Sequence, residues 1–247
     1  MGLYGVGTSY EPANPRLHYP YSSLPRIFLL SPANCSGPRA KMLLSERAAF
    51  DLAVRLRSRQ GVAVGEAFAF ISGLYFRGKL AYALEFAKPP EPDLPLTASG
   101  ALVITPNAGL RAVETAVTVE ALRRFATVDI AANDPKYSKP LIASARTLAE
   151  EIGPECDVVL LGSVASAKYV DILVQIFGER LLFPIDFVGR GDMSRGGLLL
   201  RSVRSGEELR YVPVKGAVRH GPRPPRLPPI KGILTSFRRR EPEGGED

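Results

Sequence analysis

The sequence predicts an α/β fold: a mainly parallel central sheet flanked by helices, with an antiparallel hairpin at one edge, in a single domain. Short apolar runs of strand length recur along the chain, as expected of strands buried on both faces. Stretches with apolar residues three and four apart separate them, so strands and helices alternate. The 247 residues are 45% hydrophobic, enough for one substantial core.

The elements follow in order. Residues 1–25 mix Pro, Gly, Ser and Tyr without periodicity and read as an extended or disordered leader. "RIFLLS" (26–31) is the first strand. "SERAAFDLAVRLRSR" (45–59) places Ala49, Leu52, Ala53 and Leu56 on one helical face, with Ser45 as its N-cap. "FISGLYFRGKLAYALEFA" (70–87) carries a second stripe through Leu80, Ala83, Leu84 and Ala87, and "KPPEPDLPLTASG" (88–100) is a loop. "ALVITP" (101–106), "DVVLLGS" (157–163) and "ERLLFPIDF" (179–187) are further strands, and helices are expected at 118–126, 138–152 and 165–177, the last stopped by Gly178. "GGLLLRSV" (196–203) and "LRYVPV" (209–214) flank "RSGEE" as a hairpin would. The α/β domain therefore spans 26–216, followed by a basic Pro-rich tail with an acidic end at 217–247.

Composition narrows the function. No apolar stretch reaches the roughly 18–20 residues that span a bilayer, so no membrane partner is expected. The N-terminus lacks a basic start followed by an apolar segment, and a cytoplasmic location follows. Two Cys and two His offer neither a disulfide framework nor a metal site, and no phosphate-loop or dinucleotide fingerprint calls for a cofactor. The formal charge of +7 is concentrated late in the chain: residues 201–240 hold eleven Lys/Arg against two Glu, while 241–247 carry four carboxylates. A polyanionic partner, with the tail as a nonspecific nucleic-acid arm, fits that distribution; a solubilising extension fits it as well.

Ligands of such sheets gather at the carboxyl ends of the strands, where loops meet helix N-termini. Four segments are expected there. "LLSPANCSGPRAK" offers Ser31, Asn34, Ser36 and Lys41 for a phosphate or polar base. Cys35, with no histidine nearby in sequence, reads as a small apolar residue rather than a nucleophile. "SGLYFRGK" offers Ser72, Tyr75, Arg77 and Lys79, with Tyr75 placed to stack on a base and Arg77 to meet a phosphate; its glycines, costly within a helix, signal either close packing or function. "LLGSVASAKY" offers Ser163 and Lys168 at a strand-to-helix turn. "DFVGRGDMSRGG" (186–197) packs four glycines, two arginines and two aspartates into twelve residues. It reads as an anion-holding loop in which Arg190, Ser194 and Arg195 bind and Asp186 and Asp192 act as catalytic carboxylates.

In the same order, "LLSPAN", "FISGLYF" and "GRGDMSRGG" resemble the Ser-Pro-Ala-Lys strand end, the Leu-Ser-Gly-Leu-Tyr-Gly segment and the Met-Ser-Arg loop of the YaaA family, bacterial peroxide-stress proteins associated with DNA binding. The likeness covers about twenty residues. It implies a single-domain α/β fold with a basic cleft and a part in protection against oxidative DNA damage. Ser31, Pro32, Ala33, Ser72, Gly73, Leu74, Tyr75, Met193, Ser194 and Arg195 take the corresponding places. Asn34 stands where the family has lysine, Phe76 where it has a second glycine, and Asp192 precedes Met193 where an apolar residue is usual.

Three readings follow. The first is a DNA-binding or DNA-processing protein of the oxidative-stress-response type, with an anion-binding cleft at the strand ends. The second is an enzyme acting on a nucleoside, base or phosphorylated metabolite, for example by N-glycosidic cleavage. The third is a non-enzymatic interaction protein whose Arg–Asp pairs only knit loops together.

Overall fold

A computed structural model describes residues 24–91, 97–165 and 167–228. Apart from Leu24 and Pro25, the leader lies outside the described residues, as does the tail from 229 onward. In chain order the elements are β1 (Arg26–Leu30), α1 (Pro38–Leu43), α2 (Asp51–Arg57), β2 (Val62–Ala63), α3 (Val64–Ser72), α4 (Leu74–Phe86), β3 (Ala101–Thr105) and β4 (Gly109–Ala112). Then come β5 (Ala116–Val117), α5 (Val119–Ala126), α6 (Pro135–Glu151), β6 (Asp157–Leu161), α7 (Ala167–Phe177), β7 (Leu181–Pro184), α8 (Asp192–Ser205) and β8 (Tyr211–Pro213). Single 3₁₀ turns precede and follow β7, at Gly178–Arg180 and Ile185–Phe187.

The fold is α/β, as expected. One six-stranded sheet runs in the order β4-β3-β1-β6-β7-β8, and β2 and β5 form a small antiparallel pair beside it. β3, β1, β6 and β7 are parallel; β4 and β8 close the two edges antiparallel. Every residue of β1, β3, β6 and β7 is buried, which is why these segments read as continuous apolar runs instead of alternating ones. β1 sits at the centre, in register with Val103 on one side and Leu161 on the other through Leu30.

The structure shifts several expected boundaries. The helix read at 45–59 begins only at Asp51, because the Ser45 hydroxyl accepts from Arg47 N (3.3 Å) in a separate turn and Phe50 holds the N-cap position. The helix read at 70–87 is two helices, α3 and α4, joined at Gly73, whose φ of 65° is left-handed. The edge hairpin is β3–β4, formed by 101–112, whereas 196–203 lies within α8 and β8 pairs with β7. Gly206, read as a hairpin turn, instead ends α8 in the left-handed C-cap conformation. Gly196, Leu199 and Ser202, buried at every third position, put one face of α8 against the body of the protein.

α4 and α8 cross at two glycines. A Cβ on Gly78 would fall 2.8 Å from Gly196 O, and one on Gly196 would fall 2.9 Å from Tyr75 Cα. Close helix packing, not ligand contact, therefore explains these mid-helix glycines, and it offsets their poor propensity.

Candidate functional site

The connection leaving β1 leads to α1–α4 and then to β3 on one side, while the connection leaving β6 leads through α7 to β7 on the other. The carboxyl ends of β1 and β6 are thus the topological switch point, where a crevice opens because neighbouring loops diverge. A cleft of about 490 Å³ lies there. Ser31, Asn34 and Ser36 line it from the β1 end, Tyr75 from α4, Ser163 from the β6–α7 turn, and Lys168 and Tyr169 from the first turn of α7. Asp192 enters from the first turn of α8, and Phe125, Val128, Asp129 and Ile130 close the wall beyond α5.

The floor is built around Ser31. Lys79, 2% exposed, reaches from α4 beneath the strand end, and its Nζ donates to Ser31 O and Ser31 Oγ, each at 2.8 Å. The ammonium position also lies 4.6 Å from the centroids of the Tyr75 and Phe76 rings. On the far side, the Tyr169 hydroxyl accepts from Ser163 N (3.0 Å) and donates to Ser163 O (3.1 Å). Gly162 permits this closeness: a Cβ there would fall 2.8 Å from both Ser31 Cβ and Tyr169 Oη. Burial pulls the Lys79 pKa down to about 7, with the Asp192 charge working against the shift. Burial holds the Tyr75 and Tyr169 hydroxyls above their usual range. The buried Cys35 thiol is pushed up to about 12 by the same cause, so it is not a thiolate nucleophile at neutral pH.

The Lys79 shift has a consequence for stability. Its pKa in the fold, about 7, lies below the ordinary 10.5, so between these values the unfolded chain holds a proton that the folded one does not. The associated stability is fully present above pH 10.5 and is lost as the pH falls towards 7. Urea denaturation at pH 7 and pH 9.5 should show wild type gaining stability at the higher pH, by up to a few kcal/mol on the order set by the shift. Lys79→Met should flatten that rise; an equal rise in both proteins would remove the assignment.

The other expected residues distribute as follows. Lys41, Ser72, Arg77 and Asp186 are exposed and do not line the cleft. Arg195 packs over the Phe187 ring at 5.5 Å and donates to Phe187 O from Nε (3.2 Å) and Nη2 (3.1 Å). Its Nη1 lies 3.5 Å from Asp192 Oδ1. This pairing is the one the loop-knitting reading anticipates, yet the cleft is open beside it. Tyr75 does not offer the free stacking face expected of it, because Lys79 occupies one face and Phe187 approaches edge-on, with centroids 6.4 Å apart. Asn34 and Ser36 bond to each other as well as line the cleft, the Asn34 carboxamide oxygen accepting from Ser36 N (3.1 Å) and Oγ (2.8 Å).

The lining holds Lys168 against Asp129 and Asp192, so the cleft is mixed in charge. The positive charge lies across the start of α8, in a groove of about 320 Å³ bordered by Arg190, Arg201, Arg223 and Arg226. Arg190 donates to Ser194 Oγ (3.3 Å) and Pro225 O (3.4 Å), and Arg201 donates to Pro228 O. These partners are neutral, and none of the four arginines forms an ion pair among the described residues. Two features of this region escaped the sequence reading. Tyr169 was within a segment expected at the site, but a tyrosine in the first turn of a helix has no local signature. The arginine groove joins residues more than thirty positions apart.

No helix among the described residues is long and apolar enough to cross a membrane, and no group of three or more His, Cys, Asp or Glu there is placed to hold a metal ion. The fold and cleft define an α/β protein with a crevice at the switch point of its parallel sheet. No protein-family model matches the chain, and neither a curated protein nor a solved structure matches it.

Proposed function

We propose that the protein binds DNA and processes it, taking one base or nucleotide into the switch-point cleft while the arginine groove holds the adjoining phosphodiester. One observation carries this reading: two concavities of different chemistry flank the first turn of α8, with Asp192 lining the first and Met193 and Ser194 the second. Guanidinium groups without carboxylate partners suit phosphate oxygens. The hydroxyls, carboxamide and carboxylates of the cleft suit the edge of an unstacked base or a sugar, which an enzyme acting on DNA must extract from the helix. The likeness to the YaaA family and its oxidative-stress role agrees with this proposal, because its three segments meet here: Ser31 and Tyr75 line the cleft, and Gly196 packs on Leu74 and Tyr75.

Fluorescence anisotropy with single- and double-stranded oligonucleotides tests it. The logarithm of affinity should fall linearly with the logarithm of salt concentration. Arg223→Gln and Arg226→Gln, both exposed, should each lower that slope by about 1 and weaken binding at every sequence. Flat salt dependence, or identical slopes in the variants, would overturn the proposal. Arg195→Ala is a poor probe of binding, because that guanidinium holds the Phe187 carbonyl.

A further inference from the structure

The cleft floor carries a second, chemical meaning. Ser31 is only 8% exposed, yet it lines the cleft, and its Oγ lies 2.8 Å from Lys79 Nζ. Lys79 itself does not line the cleft, so of a bound molecule it meets only the atoms held directly against Ser31 Oγ. A serine hydroxyl is a weak nucleophile unless a neighbouring base takes its proton, and a lysine serves as that base when burial keeps its amine neutral.

We infer that Ser31 is a nucleophile and Lys79 its general base, acting on an ester carbonyl small enough to enter the cleft. The Ser31 Oγ–H bond breaks as its proton passes to the neutral Lys79 Nζ, and Oγ forms a bond to the carbonyl carbon. The carbon–oxygen bond to the leaving alcohol then breaks, and that alcohol takes the proton back from Lys79. Water repeats the sequence on the acyl-serine: it gives a proton to Lys79, attacks the carbonyl carbon and releases the acid, and Ser31 Oγ recovers the proton. No metal, oxidant or cofactor is consumed.

The surroundings suit both states of the lysine. As an ammonium it donates to Ser31 O and lies over the Tyr75 and Phe76 rings; as an amine it is free of the desolvation cost of a buried charge. The pKa of about 7 lets the proton move in either direction near neutrality. The charged and titratable groups facing this pair are Asp192 from α8, Arg195 from α8 acting on Tyr75, and Tyr169 from α7. Burial keeps both tyrosine hydroxyls protonated in this range.

The test uses the full chain and a fluorophosphonate probe, whose phosphorus is attacked by activated serines with loss of fluoride. Mass spectrometry should place a single adduct on Ser31, and Ser31→Ala should abolish it. The wild-type labelling rate should rise with pH and level off above about 7, as the neutral amine becomes the main form. Lys79→Met and Lys79→Arg, which cannot take the proton, should label at least about 100-fold more slowly. An unlabelled wild type, an adduct elsewhere, or a rate independent of pH between 5 and 9 would overturn the inference, and the wild-type profile decides it even where a Lys79 variant fails to fold. The inference shares the cleft with the proposed function but does not need DNA. Arg223→Gln with Arg226→Gln should leave labelling unchanged, and the salt dependence of wild-type DNA binding is read without the probe, so each idea fails by its own measurement.

Discussion

Glu208→Ala is expected to destabilise the protein by about 3 kcal/mol. Glu208 Oε1 accepts from Arg26 Nη1 at 2.5 Å and from the Tyr211 hydroxyl at 2.7 Å, and the Arg26 and Glu208 side chains are only 3% and 7% exposed. The bonds continue from Tyr211 to the Tyr82 hydroxyl (2.6 Å), which accepts from Leu209 N (2.8 Å). This chain fastens the segment between α8 and β8 to the start of β1 and to α4. Truncating Glu208 takes from a buried guanidinium a counter-charge that it touches, and breaking a buried pair in this way costs about 3–5 kcal/mol. Asp157, the register partner of Arg26 on β6 and itself buried, keeps the loss near the lower end. Urea denaturation should show the loss, and the melting temperature should fall by roughly 6–12 °C for a chain of this size. Glu208→Gln, which keeps an acceptor for both bonds, should cost clearly less. Equal losses in the two variants would show that the charge is not what matters.

Gly78→Ala and Gly196→Ala are expected to cost about 2 kcal/mol each, with the sign set by two opposing effects. Alanine is the better helix former by about 1 kcal/mol, which favours the variants. The new methyl groups, however, would meet backbone: Gly196 O at 2.8 Å and Gly196 Cα at 3.1 Å in one case, Tyr75 Cα at 2.9 Å and Leu74 O at 3.0 Å in the other. Backbone cannot rotate away as a flexible side chain can, so the helices must separate, and overpacking of this kind costs about 1–3 kcal/mol or more. The double variant should lose less than the sum, because one methyl already opens the crossing that the second needs. α4 carries Tyr75 and Lys79 and α8 carries Asp192, so cleft chemistry should suffer before global stability does. A Gly78→Ala protein as stable as wild type would show that the crossing has more room than the structure gives it.

The fold class was legible because its signal is local. β1, β3, β6 and β7 are buried on both faces, and that state writes itself into the chain as unbroken runs such as "RIFLL" and "DVVLL". α8 was misread because "GGLLLRSV" is short, Leu-rich and glycine-led, and over eight residues a strand and a one-sided helix look alike. The glycines of "GRGDMSRGG" were read as ligand-binding, but Gly196 serves the crossing with α4, and only the position of α4 reveals it.

The candidate site was half legible for a related reason. Ser31, Asn34, Tyr75, Ser163, Lys168 and Asp192 do meet at one cleft, because strand ends and the helix starts beyond them are recognisable in sequence and parallel sheets gather them at one edge. The electropositive hollow expected there is divided in the structure, with mixed charge in the cleft and arginines in the groove across α8.

The sequence by itself determined the layered α/β class, the central strands and which loops border the cleft, since burial periodicity and turn chemistry act over a few residues. Tertiary structure alone decided that Lys79 lies under Ser31, that Arg195 serves the Phe187 carbonyl and that Arg190 and Arg226 share a groove. Charge, desolvation and hydrogen bonding act through space, and partners 8, 36 or 48 positions apart leave no mark in the chain until it folds.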